Sequence, residues 1–282
     1  MSTSVKEREH AGWSHVASGW AKHDEHLKLW QSVVSEKMLA VTNVSPGQRV
    51  LDIASGTGEP AIPAAERVGP TGSVLGTDFV PGMLAAARDK AAKKGLGNIE
   101  FKQVDGEQLE VPDGSFDVVL CRWGIIFMPD PAACLRHAYA ALKPGGRIAV
   151  AAWAPPDKNP WASVPMSVLR RHLEFPAPPP GAPGLFAFAD PNRLRSVHEE
   201  VGFTDVVVEP VALEKCEFSD GASFFTYMRE LAAPIAALMA QAPPAKHQEI
   251  ERDISSAVEV FRTKSGTLLV PGVSWVAHGR KP

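Results

Sequence analysis

Three aspartates close three apolar runs: Asp52 in "VLDIASGTG", Asp78 in "VLGTD" and Asp105 in "FKQVD". The first is followed by Gly56-Thr57-Gly58 and then Glu59. Glycines at a strand-to-helix turn let the backbone approach a ligand, and the helix N-terminus that follows favours negative charge. Gly56, Gly58 and Ala61 satisfy G-x-G-x-x-G/A, and Asp78 lies about the right distance on to meet a ribose. One reading is therefore a dinucleotide-dependent oxidoreductase. The charges oppose it. Asp52 and Glu59 would each repel a nearby pyrophosphate, by roughly 1 kcal/mol per close pair in water and more once desolvated.

The same carboxylates suit a ligand that carries an ammonium and a sulfonium. S-adenosylmethionine has both, with one ribose, one adenine and no phosphate. Asp78 is then placed to accept the ribose hydroxyls. Asp105, followed by Gly106 and Glu107, is placed to accept the adenine amino group.

The elements that must carry these residues alternate along the chain. "RVLDIA", "SVLGTDF", "IEFKQVD", "FDVVLCRW" and "RIAVAAW" read as strands. "EPAIPAAERV", "PGMLAAARDKAAKKG" and "PAACLRHAYAALKPGG" read as the helices between them. Such alternation predicts βαβ units, a parallel sheet and helices on both faces. "GFTDVVVEPV" and "VSWVAHGRK" add two strands, with a mainly helical stretch between them at about 218–265. Residues 1–45 read as helical and carry Trp13, Trp20 and Trp30. Residues 155–190 hold "PAPPPGAPG", whose prolines oppose regular helix or strand. Ligands of open α/β sheets bind beyond the carboxyl ends of the strands, so these outlying segments are the natural cover of a site.

Composition sets the outer bounds. The 282 residues are 45% hydrophobic and 22% charged, which suits a globular protein with a sizeable core. A formal net charge of -3 gives no electrostatic reason to expect nucleic acid or anionic lipid as a partner. Cys121, Cys134 and Cys216 are too scattered for a zinc pair or a disulfide framework. The charged start lacks a signal-peptide core, and "LAAPIAALMA" is too short to span a bilayer. The expectation is a cytoplasmic protein, monomer or homodimer, with a small-molecule partner, no membrane span and no metal.

The stretches "VLDIASGTG", "VLGTD", "VDGEQLEVPDGSFDVVLC" and "PDPAACLRHAYAALKPGGRIAV" together resemble the class I S-adenosylmethionine-dependent methyltransferases. The chain is most similar to the small-molecule branch that includes the ubiquinone and menaquinone biosynthesis methyltransferases. The resemblance implies an α/β, Rossmann-like, doubly wound sheet of seven mostly parallel strands, the last antiparallel. It divides the chain into an N-terminal helical lid (1–45), a cofactor core (46–154), a proline-rich cap and helix (155–200) and C-terminal strands with a helical insertion (201–282). By resemblance, Asp52, Ser55, Gly56 and Gly58 line the methionine end. Asp78, Phe79 and Met83 take the ribose and adenosine, and Asp105, Gly106 and Glu107 the adenine. Cys121 and Arg122 lie by the sulfonium, and Trp20 closes over the cofactor from the lid. One position departs from the family's D-x-G-x-G-x-G: Ala54 stands at the first glycine. Its methyl group is tolerable if Ala54 keeps a negative φ.

On the acceptor side, "RWGIIFMPD" supplies Trp123, Ile125, Ile126 and Phe127, with Trp153 and Trp161 near them. That is an apolar, aromatic lining, suited to an aromatic, quinoid or polyketide-like acceptor methylated at oxygen or carbon. His137, His172 and His198 are possible bases by chemistry alone. His23 and His26 rank first because they fall in the expected lid. A non-catalytic cofactor-binding protein is a further reading, supported by Ala54 and by the lack of an obvious base.

Overall fold

The computed structural model describes residues 4–175, 179 and 181–282. Most of "PAPPP", residues 176–178 and 180, lies outside the described residues, and so does that part of the expected proline-rich cap.

The first helices are α1 (Val5–Lys22) and α2 (Asp24–Val41). Ser4 starts α1 with a capping box: its Oγ accepts from the Glu7 amide at 3.2 Å, and Glu7 Oε2 accepts from the Ser4 amide at 2.7 Å. The alternating region follows as β1 (Arg49–Ile53), α3 (Ala61–Val68), β2 (Ser73–Asp78), α4 (Pro81–Lys93), β3 (Ile99–Gln103), β4 (Phe116–Arg122), α5 (Pro131–Ala141) and β5 (Leu142–Trp153). Then come α6 (Pro160–His172), α7 (Pro191–Val201), β6 (Thr204–Leu213), β7 (Glu217–Phe218), α8 (Gly221–Leu231), α9 (Ala233–Gln241), α10 (His247–Ala257), β8 (Leu268–Leu269) and β9 (Gly272–Arg280).

Seven strands form one sheet in the order β3-β2-β1-β4-β5-β9-β6. Pairing is parallel from β3 through β5, and β9 runs antiparallel to both β5 and β6. This is the expected seven-stranded sheet with an antiparallel last strand. β1 and β4 sit in its middle and are buried almost throughout, which is why they read as continuous apolar runs. β7 and β8 pair as a separate small ladder that the sequence reading did not foresee.

Two local expectations change. "PAACLRHAYAALKPGG" stops being helix at Ala141, because Leu142 already pairs with Phe116 and the chain enters β5. The stretch 155–190 does hold a regular helix, α6. Pro160 is its first residue, where a missing N–H costs nothing, and Pro165 removes only one later bond. The prolines that bar helix lie beyond it.

The N-terminal helices close over the sheet's carboxyl edge. α1 packs against α4, α8 and α9, with Val16, Ala17, Val80, Met83, Ala233 and Ala236 forming a small core of their own. Gly19 sets how near α1 comes to α8. A Cβ there would lie 2.1 Å from the backbone oxygen of Glu230. Gly19→Ala should therefore lower the melting temperature, even though alanine is the better helix former by about 1 kcal/mol. Overpacking against a backbone carbonyl costs ~1–3 kcal/mol. A thermal melt at or above the wild-type value would show that α1 does not dock on α8 this closely.

Candidate active site

The carboxyl ends of β1, β2 and β4 and the segment after β3 open into a cleft. Asp78, at the end of β2, organises its floor. Its Oδ2 accepts from the Gly56 amide at 2.9 Å and its Oδ1 from the Val80 amide at 2.9 Å. One carboxylate thus fixes the turns after both β1 and β2. It is almost wholly buried, and burial raises its pKa against the pull of those amides. Gly56 has φ +54, and a Cβ there would meet nothing within 4 Å, so bare backbone faces open space. Gly58 does not line the cleft. Its φ is +100, and a Cβ would meet Ile62 Cδ1 at 2.7 Å, so it serves the turn and the packing of α3.

The cleft is lined by five carboxylates, Glu9, Glu59, Asp78, Asp105 and Glu107, against two cations, Lys6 and Arg122. Lys6 comes from α1 and is already engaged. It lies 2.6 Å from Asp105 Oδ2 and 2.7 Å from Glu107 Oε2. The expected adenine-binding acids are therefore held by the lid helix. Gly106, Phe79, Met83, Ser55 and Trp20 line the cleft as expected.

Asp52 is placed differently from the expectation. It is fully buried, does not line the cleft, and neither carboxylate oxygen has a hydrogen-bond partner. Burial pushes its pKa up to about 8; Arg122 opposes the shift and Glu59 adds to it. Arg122 is also buried. Its Nη1 reaches Ser35 Oγ at 3.3 Å, its Nε is unpartnered, and its guanidinium lies over the Trp123 ring at 4.7 Å. This corner holds buried polar atoms without partners, on Asp52 and on Arg122, beside the cleft.

Two non-glycine residues here take left-handed backbone. Ala54 has φ +56, against the negative φ expected of it, and Trp123 has φ +63. Each costs of order 1 kcal/mol. The β1 turn demands the left-handed shape, and the methyl group of Ala54 fits because residue 124 is glycine: a Cβ there would lie 2.2 Å from Ala54 Cβ. Trp123 is held by its amide to Ala151 O at 3.0 Å and its Nε1 to Ser274 Oγ at 3.0 Å.

A second chamber shares Trp13, Trp20, Trp123 and Phe127 with the cleft. Trp30, Trp153, Trp161 and Tyr227 also line it. Trp123 and Trp153 stack at 4.3 Å, and Trp161 lies 4.7 Å from Trp153.

Several expected residues are elsewhere. Ile125 and Ile126 are fully buried and line neither chamber, because the short turn after Trp123 points them into the core. Cys121 is buried behind the turn as a small apolar residue, its thiol pushed up to about 12 by burial. His23 and His26 line neither chamber. His23 ends α1 and turns to α8, with Nε2 2.5 Å from Glu230 Oε2. His26 packs on Phe218 and Tyr227, and burial lowers its pKa. Away from the cleft, His172, Glu249 and Asp253 bring ligand atoms within 4.8 Å of one another, and His172 Nε2 lies 2.9 Å from Asp253 Oδ2.

The sequence reading missed Lys6, Glu9, Gln31 and Tyr227. Trp13 and Trp20 carried a signal, since their seven-residue spacing puts them on one helix face. Tyr227 had none, because only the packing of α8 brings it to the chamber.

The fold is that of the Rossmann-like methyltransferases. A putative methyltransferase from Bacillus halodurans C-125 superposes with a TM-score of 0.55 at 22% identity, over 88% of this chain and 98% of that one. The profile of the ubiE/COQ5 methyltransferase family matches residues 20–164, and the chain belongs to that family. It is 41% identical over 138 residues to the ubiquinone/menaquinone biosynthesis C-methyltransferase UbiE of Ectopseudomonas mendocina (strain ymp), covering 49% of this chain and 52% of that protein. It is 39% identical over 137 residues to nocamycin O-methyltransferase of Saccharothrix syringae, covering 48% and 49%. The chain thus spans about half the length of these curated relatives.

Two outcomes follow from the strained, charged floor. Ala54→Gly should gain about 1 kcal/mol by relieving left-handed alanine, and Gly124→Ala should lose ~1–3 kcal/mol by clashing with Ala54. With Ala54→Gly in place, a Cβ at 124 has Cys121 Sγ at 3.4 Å as its nearest remaining neighbour. The double variant should therefore recover most of the loss, and additive effects in a denaturation cycle would disprove the contact.

For Asp52, the unfolded chain ionises near 3.8 while the fold keeps the proton to about pH 8. Between those limits the unfolded state binds fewer protons, so this residue's contribution to stability falls as pH rises. The melting temperature of Asp52→Asn relative to wild type should climb from pH 5 to pH 8. A constant difference would show that Asp52 is ionised in the fold throughout.

Proposed function

We propose that this protein transfers a methyl group from S-adenosylmethionine to a small, largely apolar aromatic, quinoid or polyketide-like acceptor, at oxygen or carbon. The observation that carries the reading is two adjoining cavities of different chemistry, a carboxylate-lined cleft and a tryptophan-lined chamber that share Trp13, Trp20, Trp123 and Phe127.

The residues present fit the cofactor. Bare backbone at Gly56 allows close approach, and Asp78 keeps lone pairs for hydroxyls beyond its two amide bonds. Glu59, in the lining of the cleft, favours an ammonium or sulfonium, and Arg122 a carboxylate. Asp105 and Glu107 take the adenine end once Lys6 yields them. When bound, the cofactor supplies a methyl group on a sulfonium.

The chain's own contribution is placement and exclusion of water. Among the described residues the second chamber has no carboxylate, histidine, lysine or arginine in its lining. An amine or sugar there would lose hydration without partners, at about 1–3 kcal/mol per unsatisfied group. The relatives, a C-methyltransferase of quinone biosynthesis and an O-methyltransferase of nocamycin, support this acceptor range. A dinucleotide finds no such support, since its pyrophosphate would face five carboxylates and two cations, one of them already paired.

Calorimetry should give micromolar-range binding of S-adenosylhomocysteine and no measurable binding of NAD. Asp78→Asn should weaken the former by about 1.5–3 kcal/mol, the scale of hydrogen bonds to charged groups. NAD binding without S-adenosylhomocysteine binding would sink the reading. A methyl-donor screen in which only amino acids or sugars accept would sink its acceptor half.

A further inference from the structure

We infer that Gln31 determines acceptor specificity, its side-chain amide oxygen accepting a hydrogen bond from a hydroxyl on the ring of a planar acceptor in the tryptophan chamber. This rests on the methyl-transfer reading above and assigns it a recognition residue.

The chamber is almost wholly apolar, yet Gln31 of α2 lines it. The residue is 4% exposed. Its Oε1 is buried with no hydrogen-bond partner. Its backbone is anchored instead, the carbonyl taking a long contact from Arg122 Nη1 at 3.5 Å. Buried amides are almost always bonded, so one left open beside an apolar cavity is a group awaiting a partner. The partner must be polar, flat enough to lie among indole faces, and otherwise apolar. An oxygenated aromatic ring meets all three conditions.

A donor lies in the same lining as that acceptor. Trp13, Trp20, Trp30, Trp123 and Trp161 all donate their indole N–H to protein atoms, at 3.0 to 3.2 Å. Among the described residues Trp153 makes no such bond, although stacking on Trp123 fixes its ring. Two uncommitted polar groups in one apolar chamber discriminate sharply, because a ring without oxygen would leave both unpaired.

Gln31→Met tests this, since methionine keeps the length and volume and removes the amide. The probes are 2-naphthol and naphthalene, titrated by calorimetry with and without S-adenosylhomocysteine. Wild type should prefer 2-naphthol at least 10-fold. Gln31→Met should lose that preference, keep its affinity for S-adenosylhomocysteine, and melt at or above the wild-type temperature. A merely structural glutamine would instead lower the melting temperature and leave the preference intact, and that result overturns the proposal. So does a wild type that does not distinguish the two probes or binds neither. Failure of S-adenosylhomocysteine to bind wild type overturns the methyl-transfer reading itself, and is seen in a separate titration.

Discussion

A single carboxylate holds the cleft open. Asp78 accepts the Gly56 and Val80 amides, and so ties the turn after β1 to the turn after β2. Parallel strands deliver their carboxyl ends to one edge, but they do not decide how the following loops bend there. With Asp78 in place, the β1 turn carries Gly56 outward with its backbone bare, and Ser55 inward to the carbonyls of Asp52 and Thr77, at 3.0 Å and 3.2 Å. The left-handed Ala54 and the glycine at 124 that receives its methyl group follow from the same bend.

Behind that floor the protein leaves polar groups unsatisfied. Asp52, Arg122 and Gln31 all carry buried polar atoms without partners, and all three lie at or beside the two chambers. A fold selected only for stability would pair or remove them, since each costs free energy when buried alone. Their concentration at one edge of the sheet is what a polar site ready for a ligand looks like physically. The same argument explains why Asp52 holds its proton to about pH 8.

The cover over the site comes from two helices far apart in sequence, α1 and α8. α1 brings Lys6 to Asp105 and Glu107 and places Trp13 and Trp20 between the chambers. α8 answers with Tyr227, which accepts the Trp30 indole at 3.0 Å, and with the Leu231 carbonyl, which accepts the Trp20 indole at 3.0 Å. Acidic cleft and aromatic chamber are thereby neighbours that share four lining residues, although their linings are distant in sequence.

What the sequence determined by itself is the frame. Apolar runs alternating with helical ones, glycines at the first turn and an acid at or near each of three strand ends were enough to give the parallel sheet, the family and many of the residues that line the cleft. These are local signals: strand periodicity, turn chemistry and a charge at a fixed offset survive in one dimension. The acceptor side was read only in part. Trp123 and Trp153 line the chamber because they sit at or next to strand ends, and Phe127 because it closes the short turn after β4. Ile125, Ile126, His23 and His26 do not, because a residue's side of a helix or turn depends on what packs against it. The tertiary structure alone decided that Asp52 is sealed and Ala54 left-handed, and that Lys6 clasps the adenine-side acids. It also brought Gln31, Trp30 and Tyr227 into one chamber. Each of those facts depends on groups far apart in sequence meeting in space, which no short stretch of residues encodes.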